Sequence, residues 1–397
     1  MRGCNSTAAT TARNWAPLRE ALGPDAGPLE PCIVYFPKRD RSLAIRDDQR
    51  RNVDIYDFFL PKIGHWWWAQ ASDLLDQLSQ GAALPRLDLS ESQWRNAAAV
   101  LSAGSSDGVT FLAAQLGSPG PYQKVTLLGT SDCGDLRVTK LSLKPTADIK
   151  VRSELESLKK ISGCESTAPF APELLASGIT TSDRPYFTMR GIIGSPPSRH
   201  LTQRLLSLLE RLNTTTSAGW EDWRSTRLRH DLHKSVSDLS SRALPAYQMI
   251  VRSSEIVDDL LSVGSIHPCL SHGDFAPWNI IETENGPVLL DWEYASFDGN
   301  PIADYCHFRL IQQVLNHRSP RAANRLLHRL SASAPIDFPH LFERTPDLQG
   351  TASGLVLLYL LETVCLYLTS TPTSDGTDRV TGSYLALMAD FQNWRTS

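Results

Sequence analysis

The sequence has few cysteines for its length, and no two of them stand close enough to form a paired motif. The seven cysteines are scattered between Cys4 and Cys365, and none forms a CxxC pair. This spacing argues against a disulfide framework and against a zinc ribbon. It favours a reducing environment, so a cytoplasmic location is expected.

The sequence also lacks a strong net charge and an apolar leader. The formal net charge is −4, which gives no reason to expect nucleic acid or an anionic membrane as the main partner. The first residues, MRGCNSTAATTARNW, contain no apolar stretch of signal-peptide length. The long apolar run at 352–369 carries Glu362 at its middle, so a buried helix is predicted there rather than a transmembrane segment.

What the sequence does contain is the composition of an ordinary globular protein with more than one structural unit. Apolar residues make up 41% and charged residues 21% of the 397 residues. The pattern changes twice along the chain. We therefore predict an N-terminal extension at 1–107, a β-rich lobe at 108–194 and a helical lobe at 195–397.

The N-terminal extension is predicted to contain a β-hairpin and a tryptophan-rich segment. PCIVYFP and SLAIRDD, on either side of KRDR, have the pattern of two strands joined by a charged turn. Three consecutive tryptophans, Trp66 to Trp68, precede a helix predicted from about Ala69. This tryptophan cluster could bind a protein partner or pack between domains, and the pattern leaves both open.

The β-rich lobe has five predicted strands and one helix. The runs VTFLAAQL, KVTLLGT and LRVTKLSL are separated by GSPGPYQ and SDCGD, whose glycine and proline residues fit turns. DIKVRSELESLKKIS places Leu155, Leu158 and Ile161 at helical spacing, and two more strands follow it. The order β-β-β-α-β-β predicts a small antiparallel sheet with one helix.

The last lobe is helical except at its centre. NIIETENGPVLLDWE predicts two short strands about a Glu-Asn-Gly-Pro turn, with helical patterns on both sides. The predicted fold class is therefore α+β. A small antiparallel β lobe precedes a larger, mostly helical lobe.

This central hairpin and the loop before it can support phosphoryl transfer. The reaction needs a carboxylate for the acceptor hydroxyl, oxygen ligands for Mg²⁺ and a lysine for the phosphates. In LSHGDFAPWNII, Asp274 lies two residues after His272 and five before Asn279. One tight loop therefore lets Asp274 face the acceptor while Asn279 turns toward a metal, and the hairpin brings Asp291 back beside Asn279.

The segment HGDFAPWN, with LLDWEYA and GNPIAD after it, resembles the catalytic segment of the aminoglycoside phosphotransferase / choline kinase-like family, which has the protein-kinase fold. The resemblance implies that Asp274 is the catalytic base and that Asn279 and Asp291 are Mg²⁺ ligands. It also implies that His272 braces the loop and that Asp304 supports the loop from a following helix. The N-terminal extension lies outside this resemblance.

The resemblance extends to the nucleotide-binding residues of the β-rich lobe. Lys140 would clamp the phosphates and Glu154 on the next helix would position it, with Glu156 as the competing choice on another helix face. PYFTMRGIIG resembles the strand and hinge that meet the adenine edge. The predicted nucleotide contacts in it are Met189, Arg190, Gly191 and Ile192.

The loop GSPGPYQ departs from the usual Gly-x-Gly-x-x-Gly pattern of a nucleotide-covering loop. Gly117 and Gly120 could still let the backbone approach a phosphate, because glycine adds no Cβ. Its two prolines make the loop stiffer than usual.

Together these residues predict an ATP- and Mg²⁺-dependent phosphotransferase acting on a hydroxyl of a small molecule. The same segment is similar to phosphotransferase-like proteins of bacterial surface-polysaccharide pathways, so a sugar or glycan precursor is the favoured acceptor. An aminoglycoside or an amino alcohol such as choline is the alternative. A pseudokinase that binds nucleotide and serves as a scaffold is the alternative from another class.

Overall fold

The chain divides into two compact units, each described here by itself. Unit 1 comprises Met1–Pro196 and Ile281–Glu293, and unit 2 comprises Pro197–Ile280 and Tyr294–Ser397. The tryptophan cluster at 66–68 and the helix predicted after it lie outside the described residues. The computed structural model describes residues 15–23, 29–38, 41–46, 86–104, 106–117, 120–216, 219–242, 244–315, 320–370 and 378–395.

Unit 1 contains an eight-stranded antiparallel sheet with helices packed against it. Its strands are β1 Leu29–Lys38, β2 Arg41–Arg46, β3 Arg86–Ser90, β4 Val109–Leu116, β5 Lys124–Ser131, β6 Leu136–Ser142, β7 Leu174–Ile179 and β8 Pro185–Arg190. Its helices are α1 at 15–22, α2 Glu91–Ser102 and α3 Pro145–Ser162. The strand order is β3-β1-β2-β4-β5-β6-β8-β7.

The strand and helix order predicted for 108–194 is confirmed as β4-β5-β6-α3-β7-β8. The hairpin predicted from PCIVYFP and SLAIRDD is also present, because β1 and β2 pair antiparallel. Strand β2 pairs with β4 and β1 with β3, so β1, β2 and β3 extend the sheet. Every residue of β6 is buried, as expected for an inner strand with helices against it.

Helix α2 connects the N-terminal segment to the sheet. It begins with a capping box in which Ser90 and Gln93 satisfy each other's backbone N–H groups. The Gln93 side chain also donates to the carbonyls of Arg19 and Gly23 at the end of α1. The carbonyls of a helix end need such partners, so α1 is fixed to α2. Residues from both helices share a core with the sheet, among them Trp15, Leu18, Trp94, Leu101, Phe111 and Leu127.

Unit 2 is mostly helical. Its helices are α4 Gln203–Thr216, α5 Arg227–Asp238, α6 Tyr247–Leu261, α7 Ala303–Leu315, α8 Pro320–Asp337, α9 Leu348–Ser370 and α10 Arg379–Arg395. Two short strand pairs accompany them: β9 Glu221–Asp222 with β10 Ser265–Ile266, and β11 Cys269–Ser271 with β14 Ser296–Gly299. The predicted α+β class is confirmed.

Helix α9 forms the centre of unit 2. It contacts α5, α6, α7, α8 and α10, and most of its side chains are buried. By length and composition it is the one helix of the described residues that could cross a membrane, yet 83% of its apolar window is buried inside the protein. The buried helix predicted for 352–369 is therefore confirmed.

The hairpin predicted from NIIETENGPVLLDWE is formed by β12 Ile280–Thr283 and β13 Gly286–Leu289. Ser195 exchanges backbone hydrogen bonds with Glu282 of this hairpin, at 3.0 Å and 2.8 Å. This bridge attaches the hairpin to the connector that follows β8. Asp291, which follows the second strand of this hairpin, belongs to unit 1.

Candidate active site

Lys140 lies on the inner strand β6 and contacts two carboxylates of unit 1. Its Nζ lies 2.5 Å from Glu154 Oε1 and 2.5 Å from Asp291 Oδ1. The Glu154 side chain is 1% exposed. Glu156, by contrast, is exposed and pairs with Lys159. The geometry therefore distinguishes the two candidates for the lysine partner in favour of Glu154.

Two further charged side chains, Lys124 and Glu293, complete this group. Lys124 Nζ lies 2.5 Å from Glu293 Oε2, 3.7 Å from Asp291 Oδ1 and 3.8 Å from Glu154 Oε2. We call these five residues, Lys124, Lys140, Glu154, Asp291 and Glu293, the lysine–carboxylate cluster. Its two ammonium groups face three carboxylates, so the cluster is well suited to exchange partners when a phosphate or a cation enters.

Burial and attraction act against each other in this cluster. Burial raises the pKa of Glu154, and the Lys140 ammonium opposes that rise. Burial lowers the pKa of Lys140, but Asp291 and Glu154 together more than reverse the effect, so the pKa is raised. The pKa of Lys124 is likewise raised by Asp291, Glu154 and Glu293 against the effect of burial. Both lysines therefore stay charged at neutral pH.

Asp291 adopts an unusual backbone conformation. Its φ is 69°, in the left-handed region that residues other than glycine rarely occupy. The next residue, Trp292, is fully buried and its indole N–H donates to the Leu289 carbonyl at 2.9 Å. The buried indole fixes the turn, and the turn directs the Asp291 carboxylate toward Lys140. A strained residue of this kind is typical of functional sites.

In unit 2 the catalytic loop predicted around Asp274 is fixed by Asp304 at the start of α7. The Asp304 carboxylate accepts from the backbone N–H of His272 at 2.6 Å and of Gly273 at 3.0 Å. His272 is fully buried, and its Nδ1 accepts from the backbone N–H of Asp274 at 3.2 Å. Both residues thus occupy the bracing positions that the sequence resemblance implies.

Gly273 allows the tight turn in this loop. Its φ is 80°, and a Cβ at this position would lie 2.4 Å from the Tyr294 carbonyl oxygen. No larger residue fits there without moving the backbone. The loop conformation that presents Asp274 therefore depends on glycine at 273.

The Asp274 carboxylate is held through both of its oxygens. Asn279 Nδ2 donates to Oδ2 at 2.8 Å and also to the Asp274 carbonyl at 2.9 Å. His307 Nε2 lies 2.9 Å from Oδ1. The Asp274 side chain remains 30% exposed, so it is oriented and still accessible to an acceptor.

His307 continues into two buried tyrosines. Its Nδ1 lies 3.1 Å from the Tyr359 hydroxyl, which lies 3.0 Å from the Tyr384 hydroxyl. We call Asp274, His307, Tyr359 and Tyr384 the Asp274 chain. The His307 side chain is 6% exposed, and both tyrosines are buried.

The predicted hinge contacts lie at the end of β8 and just after it. Met189 is buried in the sheet, whereas Arg190 pairs through its side chain with Asp135 and Glu173. The Gly191 N–H donates to the Leu136 carbonyl at 2.8 Å. Ile192 is part-exposed in the connector that follows. Nucleotide binding at these four residues stays a prediction.

The glycine-bearing loop between β4 and β5 is described only in part. The Gly117 N–H donates to the Lys124 carbonyl at 2.9 Å, and the Gly117 carbonyl accepts from Gln123. A Cβ at Gly120 would meet no atom of the described residues within 4 Å, and the Gly120 carbonyl accepts from Lys144. Their predicted contact with phosphate stays a prediction.

The residues predicted as Mg²⁺ ligands offer suitable atoms in each unit. Because Asn279 Nδ2 donates to Asp274, its amide oxygen Oδ1 is the atom that can ligate a cation. In unit 1 the predicted ligand Asp291 offers a carboxylate oxygen, and those of Glu154 and Glu293, which were not predicted as ligands, lie within 4.8 Å of it and of each other. Oxygen ligands of this kind are what Mg²⁺ prefers, so the residues fit the ion.

A cavity of about 290 Å³ lies within unit 2, next to the catalytic loop. Gly273, Asp304 and His307 belong to its lining, so the cavity reaches the residues that hold Asp274. Most of its other polar lining is uncharged. The remaining polar lining residues are Asp231, Ser235, Ser271, Tyr294, Ser296, Asn300, Tyr359, Glu362, Thr363, Cys365 and Thr369.

The family model APH, described as a phosphotransferase enzyme family, matches residues 123–339. The match covers more than half of the 397 residues, and it spans both the cluster and the catalytic loop. The chain is thus an enzyme of the phosphotransferase class. It belongs to the APH phosphotransferase family, and the family resemblance of HGDFAPWN and LLDWEYA is confirmed.

Several solved structures are similar at low identity. A thermostable mutant of the aminoglycoside phosphotransferase APH(4)-Ia has a TM-score of 0.45 and 13% identity, over 73% of this chain and 97% of that chain. A putative fructosamine-3-kinase from Thermobifida fusca YX-ER1 has a TM-score of 0.46 and 13% identity, over 75% and 98%. At these values the likeness supports no conclusion of its own. No similar curated protein was found.

Sequence reasoning did not identify Lys124, Glu293, His307, Tyr359 or Tyr384. A signal existed for two of them. Glu293 belongs to the DWE motif, and His307 follows Asp304 by three residues on the same helix, hence on a neighbouring face. The other three reach the site through contacts between distant parts of each unit, which local patterns do not encode.

Proposed function

We propose that this phosphotransferase transfers the γ-phosphoryl group of ATP to a hydroxyl of a small molecule, with Asp274 as the base. The observation that carries this proposal is the Asp274 carboxylate. It is held through both oxygens and yet 30% exposed. A carboxylate needed only for structure gains nothing from such exposure, whereas a base must reach its substrate.

The lysine–carboxylate cluster supplies the groups that a nucleotide requires. Lys140 and Lys124 offer two ammonium groups for phosphate oxygens, and Glu154 keeps Lys140 in place. Asp291 in unit 1 and Asn279 in unit 2 each offer an oxygen ligand of the kind that Mg²⁺ prefers, and the ion would neutralise phosphate charge when bound. The pseudokinase alternative is less favoured, because a scaffold does not need all of these groups.

The chemistry asks little of the protein beyond position and charge. The acceptor oxygen forms a bond to the γ-phosphorus as the bond to the ADP oxygen breaks, and the hydroxyl proton passes to Asp274. Because the transition state is loose, correct placement and charge neutralisation supply most of the rate enhancement. Asp274 orients the hydroxyl, and the lysines stabilise charge on the phosphates.

The cavity in unit 2 favours an uncharged polyhydroxyl acceptor, such as a sugar or glycan precursor. Serine, threonine and tyrosine hydroxyls and the Asn300 amide make up most of its polar lining. Burial raises the pKa of Glu362 to about 8, so this carboxyl carries a proton at neutral pH. Asp231 already pairs with Arg227 at 3.3 Å. The lining therefore offers hydrogen bonds more than negative charge.

A cationic acceptor, such as an aminoglycoside or an amino alcohol, is the second candidate. The observation in its favour is that the carboxyl groups of Asp231 and Glu362, besides that of Asp304, line the same cavity. A bound ammonium group would lower the pKa of Glu362 and make it a carboxylate. Glu362 would thus be protonated with a neutral acceptor bound and ionised with a cationic acceptor bound.

An acceptor screen tests the proposal. MgATP is incubated with the protein and with neutral sugars, aminosugars, aminoglycosides or choline, and ADP release is measured. We expect stimulation by a neutral sugar. Stimulation by cations alone would favour the second candidate. The pseudokinase alternative predicts that no acceptor stimulates ADP release and that thermal stabilisation by ATP is indifferent to Mg²⁺.

A further inference from the structure

We propose that His307 is a positioning residue that orients the Asp274 carboxylate, and that Tyr359 and Tyr384 fix the orientation of the His307 ring. This inference rests on the proposed function, because it gives Asp274 the role of the base. It concerns residues of unit 2 only. None of the three belongs to the HxDx₄N pattern or to the DWE turn.

Two side chains orient the Asp274 carboxylate. Asn279 and His307 each approach a different carboxylate oxygen, at 2.8 Å and 2.9 Å. Two hydrogen bonds from opposite ends of a carboxylate define the plane of the group. Asn279 alone would leave the carboxylate able to rotate about its Cβ–Cγ bond. His307 removes that freedom.

The hydrogen bonds of the Asp274 chain have a defined direction. An ionised carboxylate can only accept, so His307 Nε2 must carry a hydrogen. In the neutral ring Nδ1 is then an acceptor, and the Tyr359 hydroxyl donates to it at 3.1 Å. The Tyr359 oxygen can in turn accept from the Tyr384 hydroxyl at 3.0 Å. Every donated hydrogen in the Asp274 chain then points toward the Asp274 carboxylate.

The two tyrosines, Tyr359 and Tyr384, keep their protons. Burial raises the pKa of Tyr359 well above its usual value, and the neighbouring Tyr384 adds to the effect. Burial raises the pKa of Tyr384 in the same way. Both hydroxyls therefore keep their protons at neutral pH and are available as donors. They come from α9 and α10, so the packing of two helices fixes one imidazole ring.

This arrangement buries polar groups, and burial of polar groups costs free energy. A histidine with only a structural role would not need it. Three polar side chains are buried in the helical core, where each needs a hydrogen-bond partner. An apolar side chain at 307 would fill the same space without that demand. What the apolar side chain could not do is donate to Asp274. The Asp274 chain is therefore best explained by the Asp274 carboxylate at its end.

The kinetic test separates orientation from binding. His307→Leu removes the donor and should lower kcat by about 10²-fold, because a small misplacement of a reacting group has effects of that size. The KM for ATP should stay unchanged, because the cluster that would bind ATP lies in unit 1. His307→Gln should recover most of the loss, since its amide N–H can replace Nε2. MgATP is the donor, with water or the best sugar of the acceptor screen as the acceptor.

A matched pair of tyrosine variants gives a second test if His307→Leu does not fold. Tyr359→Phe removes the hydroxyl that orients the ring and should lower kcat several-fold, less than the loss at His307. Tyr305→Phe is the control. It lies on the same helix as His307 and is equally buried, but its hydroxyl donates to Asp337 at 2.6 Å. It should leave kcat unchanged.

Nitrogen-15 NMR of labelled histidine reports the ring directly, without an acceptor. We expect His307 to carry a hydrogen on Nε2. An unprotonated Nε2 would overturn the proposal, as would equal kcat in the two tyrosine variants. A His307→Leu variant with normal kcat but a raised KM for the sugar would also overturn it, because His307 would then be an acceptor contact. If Asp274→Asn keeps its turnover, the proposed function itself is wrong, whatever happens at His307.

Discussion

Unit 1 and unit 2 each hold a carboxylate that the proposed reaction needs, Asp291 and Asp274, but they stabilise it by different means. Asp291 is surrounded by charges: two lysines and two other carboxylates lie within a few ångströms of one another. Asp274 has hydrogen-bonding neighbours instead, an amide and an imidazole backed by two phenols. Asp291, which the proposed reaction requires to exchange partners with phosphate and metal, thus lies among charged groups. A group that must point in one direction sits among directional bonds.

Among the variants that test this comparison, Lys140→Met is expected to cause the largest loss of stability. The variant leaves Glu154, 1% exposed, with Lys124 at 3.8 Å as the nearest ammonium group. Removing one partner of a buried ion pair typically costs about 3–5 kcal/mol of stability. Urea unfolding measures this loss. Activity should also fall steeply, because a phosphate contact is removed.

Lys159→Met is the matched control for this prediction. Lys159 pairs with Glu156 on the same helix as Glu154, but both side chains are about half exposed or more. An exposed pair of this kind contributes about 0.3–0.5 kcal/mol. The double variant Lys140→Met/Glu154→Gln should recover part of the lost stability, since it removes the buried charge. Equal losses in the two lysine variants would contradict the role given to burial.

A smaller effect is expected from Lys124→Met. Lys124 is 19% exposed, its closest partner Glu293 is 14% exposed, and Glu154 keeps its contact with Lys140. The loss should be that of one hydrogen bond between charged groups, about 1.5–3 kcal/mol. We expect the KM for ATP to rise as well. A Lys124→Met variant less stable than Lys140→Met would reverse the order of importance within the cluster.

A pH-dependent effect on stability is expected from Glu362 on α9. Its pKa is raised by burial from 4.5 to about 8, so the folded protein holds a proton that the unfolded chain releases between those values. The contribution of this group is full below pH 4.5 and is lost as the pH rises toward 8, with a slope of at most about 1.4 kcal/mol per pH unit. Stability should therefore fall with rising pH across this window.

Glu362→Gln checks the sign of that dependence. The amide cannot titrate, so the unfolding free energy of the variant should change less between pH 5 and pH 8 than that of the unaltered protein. Chemical denaturation at several pH values measures both curves. Parallel curves would show that Glu362 titrates as in the unfolded chain. A ligand that shifts the curve of unfolding free energy against pH would show whether Glu362 is charged in the complex.

Local patterns predicted a large part of this fold. The order of β4 to β8 followed from turn residues and from alternation, and α9 followed from its apolar length. That β1, β2 and β3 extend the same sheet was not predicted, because pairing between strands distant in sequence leaves no local pattern. β3 itself falls within a segment for which no strand was expected.

The site was predictable where its residues form a motif and not where they meet by packing. His272, Asp274, Asn279, Asp291 and Asp304 were predicted from spacing and resemblance. Lys124 joins the cluster from a strand more than 160 residues before Glu293. Tyr359 meets His307 from another helix, 52 residues later. Such contacts depend on how helices and strands pack, and single positions in a sequence do not show it.

The most direct test of the account is the Asp274→Asn variant, which keeps the shape of the side chain and removes its charge. ATP binding, measured by calorimetry with Mg²⁺, should be close to that of the unaltered protein. Phosphoryl transfer to the acceptor found by the screen should fall by about 10²–10⁴-fold, the usual contribution of a general base. Transfer at a near-normal rate in Asp274→Asn would contradict the assignment of Asp274 and the mechanism built on it.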